Sequence, residues 1–410
     1  MRIIYLHQYF KFPDENGGTR SYDLASSFKR KGYEVTIVTT TSDEKYNHKR
    51  RWTEIEKEGI KVNYIYLPYK NDLSHLQRTI VFFKFLLFSS FKLFNLTADL
   101  VLATSTPLTI GIPVLMKKWL HKTPFVFEVR DVWPEAVIAI GAIKNKFFQN
   151  ILFILEKLIY RNAETIIPLS TDMQNSIILR YPNFKSKTSI VIENISEINR
   201  FQVNKNSINL KKYIGLIPRF SILYAGAFGK VNRLDKVVDY AVKTLPIDKG
   251  LVYILIGEGS EKKKVIDLAK RKKVLNQNLF ILDSVAKSDL PLWYNAVSMG
   301  SSFVANIPEL WANSANKFFD TLAANRPILI NYEGWQSKVI KNNNIGYVLP
   351  FSLTSKAAID FVNYTMDINL IKNQSENALK TAEKSYSLKI ATKKYIEIFE
   401  KTFEKCKNTF

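Results

Sequence analysis

Short apolar runs alternate with amphipathic stretches through the first half of the chain. Residues 2–7 form the first run, a helical face with Tyr22, Ala25 and Phe28 follows, and the next run, residues 34–40, is rich in β-branched side chains. A strand, a helix and a strand in this order form a βαβ unit, which predicts a parallel sheet. Further strands are predicted at residues 61–67, 99–104, 124–129, 165–169 and 189–193, and helices at residues 79–96 and 147–160.

The same alternation begins again in the second half. After a linker at residues 194–201, strands are predicted at residues 220–224, 250–256, 279–282, 297–303 and 328–330, with helices between them. We therefore predict an α/β protein of two Rossmann-like parallel-sheet domains, residues 1–195 and 202–387, which face a central cleft where a ligand binds. A last helix, at residues 388–405, is predicted to pack back on the first domain.

The segment from Asn313 to Asn331 has the pattern of a loop, a helix, a turn and a buried strand. Asn313 or Ser314 can cap the helix, because a short polar side chain accepts hydrogen bonds from the free N–H groups of a first turn. Arg326-Pro327 blocks continuation of the helix, and residues 328–330 form the strand.

The start of this predicted helix has the groups that bind a phosphate. Free backbone N–H groups, the positive end of the helix dipole, Asn316 and the ammonium of Lys317 meet there. Asp320 lies one turn further on and could accept a hydrogen bond from a ribose hydroxyl. The alternative is a capped crossover helix with a solvated pair of Lys317 and Asp320.

Glycine loops follow the first predicted strand of each half. Gly17-Gly18 follow the strand at residues 2–7, Gly226 follows the strand at residues 220–224, and Gly257 comes directly after the strand at residues 250–256. Glycine lets the backbone approach a phosphate or a sugar closely. The pair Gly17-Gly18 does not complete the G-x-G-x-x-G fingerprint, so it is a weak signal alone.

A charged loop follows the predicted strand at residues 124–129. Arg130, Asp131, Trp133 and Glu135 lie within the six residues 130–135 at its C-terminal end, where ligands of open parallel sheets bind. The alternative is a loop held by salt bridges, with Trp133 packed against the core.

The chain carries a strong positive charge. Its 410 residues have a formal net charge of +22, which favours phosphorylated ligands, anionic lipid or nucleic acid, although the basic residues are spread over the whole chain. A single cysteine, Cys406, excludes a disulfide framework, and the four histidines have no spacing suited to a metal ion. We expect a reducing cytoplasm, no signal peptide, no metal and no cofactor.

The most apolar stretch is residues 79–96. Lys84 and Lys92 interrupt it, so it is a poor candidate for a transmembrane span. The two lysines fall on one side of a helical wheel, which suits a helix lying in a membrane interface with its lysines near lipid headgroups. The alternative is a crossover helix buried against the sheet.

Several short motifs resemble those of family 4 glycosyltransferases. They are H-Q-Y-F and G-G-T-R-S-Y within His7–Tyr22, F-E-V-R-D-V-W-P-E at Phe127–Glu135, Y-A-G-A-F-G-K at Tyr224–Lys230, I-G-E-G-S at Ile256–Ser260 and N-K-F-F-D-T-L-A-A-N-R-P at Asn316–Pro327. The first three are similar to the branch described as fucosamine-transferase-like. The resemblance covers nearly the whole chain and implies the GT-B fold, a nucleotide-sugar donor, retention of anomeric configuration and no essential metal.

The resemblance also implies roles for individual residues. Lys317, with Arg233 or Lys230, would neutralise the departing diphosphate. Asp320 matches the second glutamate of the family's E-x7-E motif, which holds the donor ribose, whereas Ala312 stands in the place of the first glutamate. Catalytic roles are thus predicted for Asp131, Lys317 and Arg233, donor-binding roles for Gly17, Gly18, Gly226, Lys230, Gly257, Asn316 and Asp320, and acceptor-side roles for His7, Arg20, Arg130, Trp133 and Glu135.

From the residues and the resemblance together we predict a glycosyltransferase of hexosyl or N-acetylhexosaminyl type. It would move a sugar, from a donor that is UDP-linked, to a lipid-pyrophosphate-linked or glycan acceptor in surface polysaccharide synthesis, such as capsule or O-antigen. We expect it on the cytoplasmic face of the membrane, held through residues 79–96. One alternative is a GT-B-fold epimerase of UDP-amino sugars. Another, suggested by charge alone, is a nucleic-acid-binding protein, although the sequence contains no recognisable nucleic-acid-binding module.

Overall fold

The computed structural model describes residues 1–15, 17–47, 51–68, 75–202 and 206–407. The chain divides into two compact units, each built on a twisted sheet with helices on both faces. Unit 1 contains Met1–Phe12, Gly18–Glu193 and Leu388–Phe410, and unit 2 contains Pro13–Gly17 and Asn194–Ser387. The predicted α/β fold with two Rossmann-like parallel sheets is confirmed.

Unit 1 has a seven-stranded sheet in the order β3-β4-β2-β1-β5-β6-β7. Its strands are β1 (Arg2–Leu6), β2 (Glu34–Thr41), β3 (Trp52–Lys57), β4 (Ile60–Tyr66), β5 (Leu100–Thr104), β6 (Phe125–Val129) and β7 (Thr165–Pro168). Its helices are α1 (Arg20–Arg30), α2 (His75–Asn95), α3 (Gly111–His121), α4 (Glu135–Ala139), α5 (Lys146–Asn162), α6 (Thr171–Arg180) and the last helix of the chain, α17 (Leu388–Lys407).

Helices cover both faces of this sheet, which explains the continuous apolar runs of its central strands. Every residue of β5 and β6 is buried. On one face α1 packs against α17, where Phe28 meets Tyr395 and Phe399 edge to face. On the other face α2, α3 and α5 lie side by side, and a buried core separates them from the strands.

Two details of unit 1 differ from the sequence-based prediction. The edge strand β3 pairs antiparallel with β4 and was not predicted, because its residues are polar or only half-buried and form no apolar run. Residues 189–193, predicted as a strand, form none. Ile192 makes one backbone hydrogen bond to Pro168, but the carbonyls of Ile192 and Glu193 accept hydrogen bonds from the Arg20 side chain instead of a neighbouring strand.

Unit 2 has a six-stranded, fully parallel sheet in the order β10-β9-β8-β11-β12-β13. Its strands are β8 (Phe220–Ala225), β9 (Leu251–Ile256), β10 (Leu279–Leu282), β11 (Met299–Ser302), β12 (Ile328–Ile330) and β13 (Gly346–Val348). Its helices are α7 (Ile198–Gln202), α8 (Leu210–Ile214), α9 (Asp235–Thr244), α10 (Lys262–Arg271), α11 (Leu290–Ala296), α12 (Pro308–Trp311), α13 (Asn316–Ala323), α14 (Trp335–Asn343), α15 (Ser355–Met366) and α16 (Ile368–Thr381).

The predicted linker at residues 194–201 is a packed part of unit 2. Phe201, in α7, is buried against Tyr294 with ring centres 5.6 Å apart. The short strand β13 was not predicted, because three residues that begin with Gly346 give no apolar run. In the described ranges, no helix has both the length and the hydropathy that crossing a membrane requires.

Candidate functional site

Helix α13 begins where the loops from the carboxyl ends of the unit 2 strands gather. Its cap residue is Ala315, so the predicted capping by Asn313 or Ser314 is wrong. The amide oxygen of Asn313 instead accepts from the N–H of Ala315 at 3.2 Å, and the Ser314 hydroxyl accepts from the N–H of Asn194 at 3.1 Å. Both side chains order the loop before the helix. Among the described residues, no acceptor is found for the N–H groups of Asn316 and Lys317, which therefore remain open to a ligand.

The side chain of Lys317 lies across Gly226. A Cβ atom on Gly226 would lie 3.1 Å from both Cε and Nζ of Lys317, and Nζ lies 5.0 Å from the centre of the Tyr224 ring. Burial lowers the pKa of Lys317 to about 8; the charge of Lys287 adds to this shift, and that of Asp320 opposes it. Lys317 is therefore cationic at neutral pH in a place where its charge is poorly compensated.

Asp320 is buried and forms its ion pair with Lys287 rather than with Lys317. Lys287 belongs to a turn after β10, and its ammonium is as buried as the carboxylate that it meets. The alternative of a solvated pair of Lys317 and Asp320 is therefore wrong. Lys287 was missed because nothing in its local sequence distinguishes it from the other lysines of the chain.

Asn316 is held by the segment that enters unit 2. The side-chain amide of Asn194 donates to the side-chain oxygen of Asn316 and, at 3.1 Å, to the carbonyl of Ser314. The hydroxyl of Ser196 donates to the carbonyl of Phe319 at 2.9 Å. The first turn of α13 is thus fixed from both its side chains and its backbone before any ligand arrives.

The two glycine loops of unit 2 pack backbone to backbone. Gly226 donates to the carbonyl of Ile256 at 2.9 Å, and Phe228 donates to the carbonyl of Glu258 at 2.8 Å. A Cβ atom on Gly257, whose φ is +150°, would lie 1.9 Å from the carbonyl oxygen of Gly226. Gly257 is therefore required for the close contact that shapes the floor beneath Lys317.

Lys230 and Arg233 line a cavity of about 350 Å³ between the loop after β8 and helix α10. Arg233 donates to both carboxylate oxygens of Asp235, at 2.8 and 2.7 Å, and this hydrogen bonding raises the pKa of Arg233. The charge of Arg233 is therefore matched by a carboxylate, in contrast to that of Lys317.

In unit 1, His7 and Arg130 meet at the carboxyl ends of β1 and β6, the two strands on either side of β5. Arg130 Nη1 lies 3.2 Å from His7 Nε2, and the N–H of Arg130 donates to the hydroxyl of Ser105 at 3.0 Å. Burial and the charge of Arg130 together lower the pKa of His7 to about 3. The neutral ring accepts from Arg130 on Nε2, so its proton is on Nδ1, for which the described residues provide no partner.

Asp131 lies beside this pair and is partly exposed. The hydroxyl of Thr106 donates to Asp131 Oδ2 at 2.6 Å, which fixes the orientation of the carboxylate. In the described part of the chain, Oδ1 accepts no hydrogen bond. A carboxylate held through one oxygen can bind a hydroxyl with the other.

Trp133 and Glu135 are engaged within unit 1. Trp133 packs against the core beneath the sheet, and Glu135 forms an ion pair with Arg180 and accepts from Ser176 at 2.7 Å. The sequence alternative, a loop held by salt bridges with a packing tryptophan, therefore describes these two residues, whereas Arg130 and Asp131 remain beside His7 and Thr106.

Arg20 is fully buried in an ion pair. Its Nη2 lies 3.1 Å from Glu128 Oε2, and it donates to the hydroxyl of Tyr395 at 3.1 Å. Burial alone would raise the pKa of Glu128. The charges of Arg20 and Arg130 and the hydrogen bonds from Tyr395 and Thr104 outweigh burial and lower this pKa to about 2. A glutamate within the apolar run of β6 is the signal that could have predicted this buried pair.

The remaining predicted residues, Gly17 and Gly18, lie between β1 and α1. Gly17 is exposed with a φ of +139°, a conformation that favours glycine. Gly18 is half-buried, and the residue before the pair, Asn16, lies outside the described residues. In the described ranges, no group of three or more His, Cys, Asp or Glu side chains is placed to hold a metal ion.

Comparison with known proteins supports a glycosyltransferase. Residues 17–186 match the model of the glycosyl transferase 4-like domain. No curated protein matches the chain. Sucrose-phosphate synthase from Thermosynechococcus elongatus has 13% identity and a TM-score of 0.75, over 98% of this chain and 99% of that one.

Two further solved structures have the same fold. Anabaena Alr3699/HepE, solved with UDP and glucose, has 15% identity and a TM-score of 0.71 over 98% of this chain and 100% of that one. WaaG, a glycosyltransferase involved in lipopolysaccharide biosynthesis, has 15% identity and a TM-score of 0.66 over 97% and 99%. The chain therefore carries a glycosyl transferase 4-like domain in unit 1 and has, over its whole length, the GT-B fold of glycosyltransferases.

Proposed function

We propose that this protein is a retaining glycosyltransferase that takes a sugar from a UDP-linked donor. The observation that carries the proposal is the ammonium of Lys317, which lies over Gly226 at the start of α13. A half-buried cation beside open backbone N–H groups is suited to a diphosphate, whose negative charge grows as the bond to the sugar breaks. Retention follows from the resemblance of the sequence motifs to family 4.

The donor nucleoside is proposed to lie against Asp320. Its carboxylate is held by Lys287 and would accept the ribose hydroxyls, while Asn316, Gly226 and Gly257 would shape the surface around the diphosphate. UDP is favoured over other nucleotides because solved proteins of this fold contain it: HepE was solved with UDP, with UDP and glucose, and with UDP-glucose. Lys230 and Arg233 would add positive charge near the same loop, with Arg233 limited by its pairing to Asp235.

The acceptor is proposed to bind in unit 1 at Asp131. The free oxygen of this carboxylate would accept the proton of the acceptor hydroxyl or orient that hydroxyl through a hydrogen bond. Arg130 and neutral His7 would bind neighbouring oxygens of the acceptor. The acceptor is proposed to be lipid-linked and part of a surface polysaccharide, with the enzyme at the inner face of the membrane through residues 79–96. The similarity to WaaG supports this pathway.

A thermal-shift and calorimetric screen with UDP, GDP and ADP tests the donor proposal. A ligand that binds only the folded state raises its melting temperature. We expect UDP to stabilise the protein most, and Lys317→Met to remove most of that stabilisation while the ligand-free melting temperature is kept or raised. Equal binding of UDP by wild type and Lys317→Met would contradict the proposal, and a clear preference for GDP would reassign the donor.

Asp131→Asn tests the acceptor side. The substitution keeps the shape and removes the charge, so transfer should fall by about 10²–10⁴-fold while UDP affinity is unchanged. If the variant loses UDP affinity but transfers normally at saturating donor, Asp131 belongs to the donor site instead of the acceptor site. Thr106→Val is the matched variant, since it removes only the hydrogen bond that orients the carboxylate, and a smaller loss is expected.

A further inference from the structure

Three neighbouring helices of unit 1 expose apolar stripes on the same face of the sheet. In α2 the stripe contains Phe83, Leu87, Phe91 and Phe94, at helical spacing, and Phe83 is 66% exposed. The opposite side of α2 buries Phe85 and Leu93 in the core. The helix is therefore apolar on both sides, although only one side meets the sheet.

Helix α5 repeats this arrangement. Phe147, Ile151, Ile154 and Leu158 form its outer stripe, with Phe147 68% and Ile154 67% exposed, while its inner side buries Ile159 in the core. The two stripes of α2 and α5 are thus similar in length and exposure.

Helix α3 lies between the other two and joins their stripes. Phe94 of α2 meets His121 of α3 edge to face, with ring centres 4.6 Å apart, and α3 exposes Trp119 and Leu120. The Trp119 indole N–H donates to Asn162 at the end of α5, at 3.4 Å. The three stripes therefore belong to one face, which we call the apolar face of α2, α3 and α5.

The charges around this face have one sign. Helices α2 and α3 contain no Asp or Glu, and the one acidic residue of α5, Glu156, is buried in an ion pair with Arg180. Exposed basic residues lie at the same helical spacing as the apolar ones: Lys84 on α2, and Lys146, Lys157 and Arg161 on α5. A soluble protein rarely leaves so extended an apolar surface uncovered.

We propose that the apolar face of α2, α3 and α5 docks on the surface of an anionic lipid bilayer. Phenylalanine, tryptophan and leucine side chains would enter the boundary between headgroups and acyl chains, and the lysines would meet lipid phosphates. The absence of exposed carboxylates on the three helices distinguishes this face from one that binds a basic or mixed protein surface. The face extends the contact proposed for residues 79–96 to two more helices.

One lysine of α2 does not contribute. The ammonium of Lys92, which the sequence pattern directs toward lipid, lies 5.7 Å from the centre of the Trp52 ring, and burial lowers its pKa. Lys84 is exposed and is the basic residue that α2 offers to the bilayer. A charge test on α2 should therefore use Lys84, with Lys92 expected to affect folding instead.

The geometry of unit 1 connects this face to the acceptor site. Helix α5 leads from β6 to β7, two parallel strands, so it starts at the edge of the sheet where Asp131 lies. Phe147 and Phe148, in its first turn, are on that edge. If unit 1 binds the acceptor as proposed above, docking would bring a lipid-linked acceptor to Asp131 from the membrane surface.

Sedimentation with vesicles tests the docking without any donor or acceptor, so its outcome is separate from that of the proposed function. The full-length protein should bind vesicles of phosphatidylcholine with phosphatidylglycerol. Phe147→Ser with Ile154→Ser should weaken binding by at least about tenfold, and Phe83→Ser with Phe91→Ser, on α2, gives an independent pair. Ile217→Ser with Ile368→Ser, two exposed apolar residues of unit 2, is the matched control and should bind normally.

The charges are tested by Lys146→Glu with Lys157→Glu, which should weaken binding to the same vesicles about tenfold or more. Lys263→Glu with Lys272→Glu changes the net charge equally in unit 2 and should have little effect. Normal vesicle binding by both apolar pairs would overturn the proposal. So would a dimer in lipid-free sedimentation that these pairs dissociate, since the face would then belong to a second copy of the chain.

Discussion

At the scale of single residues, the candidate donor site depends on how Lys317 is desolvated. Its ammonium shares a small region with the buried pair of Lys287 and Asp320, which brings two cations and one carboxylate together. This excess of positive charge costs stability without a ligand and favours an anion. A diphosphate would supply the missing negative charge, as expected where a perturbed pKa marks a binding site.

The first prediction follows from the pKa of Lys317, lowered from 10.5 to about 8. Lys317 loses its proton as the pH rises through 8, so UDP affinity should fall in that range. Lys317→Arg keeps its charge, and its UDP affinity should stay constant up to pH 9.5 or so. Calorimetric titrations across this pH range check the prediction, and an identical pH profile for both proteins would contradict it.

The folding stability should respond to the same group in the opposite direction. The unfolded chain binds more protons than the folded one between the two pKa values, so this lysine makes the ligand-free protein more stable as the pH rises from about 8 toward 10.5. The pH profile of melting temperature in Lys317→Met should lack this rise, which separates the effect of Lys317 from that of other groups.

The second prediction concerns Lys287, which we regard as a positioning residue for Asp320. Lys287→Met should weaken UDP binding by about tenfold, since a hydrogen bond to a charged group is lost or misaligned. Binding of 2′,3′-dideoxy-UDP, which has no ribose hydroxyls for Asp320, should be unchanged. Equal weakening for both nucleotides would show that Lys287 only supports the fold.

A double variant controls for stability. Lys287→Met leaves the buried carboxylate of Asp320 unpaired and should lower the melting temperature, whereas Lys287→Met with Asp320→Asn removes both charges and should recover much of it. The double variant should still fail to distinguish UDP from its dideoxy analogue. Lys341→Met, at an exposed pair with Glu333, is the control for loss of a surface ion pair.

At the scale of elements, unit 1 is joined by a buried polar network. Glu128 on β6 binds Arg20 on α1, Tyr395 on α17 and Thr104 on β5, so one carboxylate connects two strands, the first helix and the last helix. Arg20 also holds the carbonyl of Glu193, where the chain leaves unit 1. The network explains why α17, far away in sequence, is part of unit 1.

The third prediction is the response of this network to acid. The folded pKa of Glu128, about 2, lies below the ordinary value of 4.5, so its ionisation stabilises the fold above pH 4.5, and that contribution is lost as the pH falls toward 2. Glu128→Gln should reduce the free energy of unfolding by about 3 kcal/mol at neutral pH.

Urea unfolding followed by far-UV circular dichroism measures this effect. The difference between wild type and Glu128→Gln should shrink at about pH 3, where the wild-type carboxyl approaches its own protonation. Asp43→Asn, which removes an exposed acidic residue paired with Lys45, is the matched control and should change little at either pH. A constant difference for Glu128→Gln at all pH values would contradict the prediction.

The sequence predicted the elements whose burial is continuous and missed those without an apolar run. Strands such as β5 and β6 are buried on both faces and are visible as uninterrupted apolar segments, whereas the polar edge strand β3 is not. The prediction of a strand at residues 189–193 was wrong because the carbonyl of Ile192 accepts a hydrogen bond from the side chain of Arg20, 172 residues away in the sequence. Local sequence carries no information about such a partner.

The same limit applies to the candidate site. Lys317 was predicted because its ammonium, Asn316 and the free N–H groups of a helix start lie together in the sequence, but its roles remain a prediction. Lys287 comes 33 residues before its partner Asp320 in an ordinary turn, so only the fold brings it to the site. Arg130 and Glu135 are charged residues of the same loop, and the sequence does not show which of them is taken up by an ion pair. In the structure Glu135 pairs with Arg180.

At the scale of the whole molecule, two parallel-sheet units carry different chemistry. Unit 2 places an incompletely balanced cation beside open N–H groups, and unit 1 places an oriented carboxylate beside a neutral histidine and an arginine. Unit 1 also carries the apolar face of α2, α3 and α5. Together these features favour a transferase that uses a soluble anionic donor and an acceptor held at a lipid surface.

The most direct test of transfer with retention follows UDP-α-sugars by proton NMR with the purified protein alone. Glycosyltransferases transfer the sugar slowly to water, so we expect UDP-glucose or UDP-N-acetylglucosamine to release UDP together with the α-anomer of the free sugar, before mutarotation. Lys317→Met should abolish the signal. Initial release of the β-anomer would contradict retention, and inversion at C2 of the nucleotide sugar without release of UDP would show an epimerase instead of a transferase.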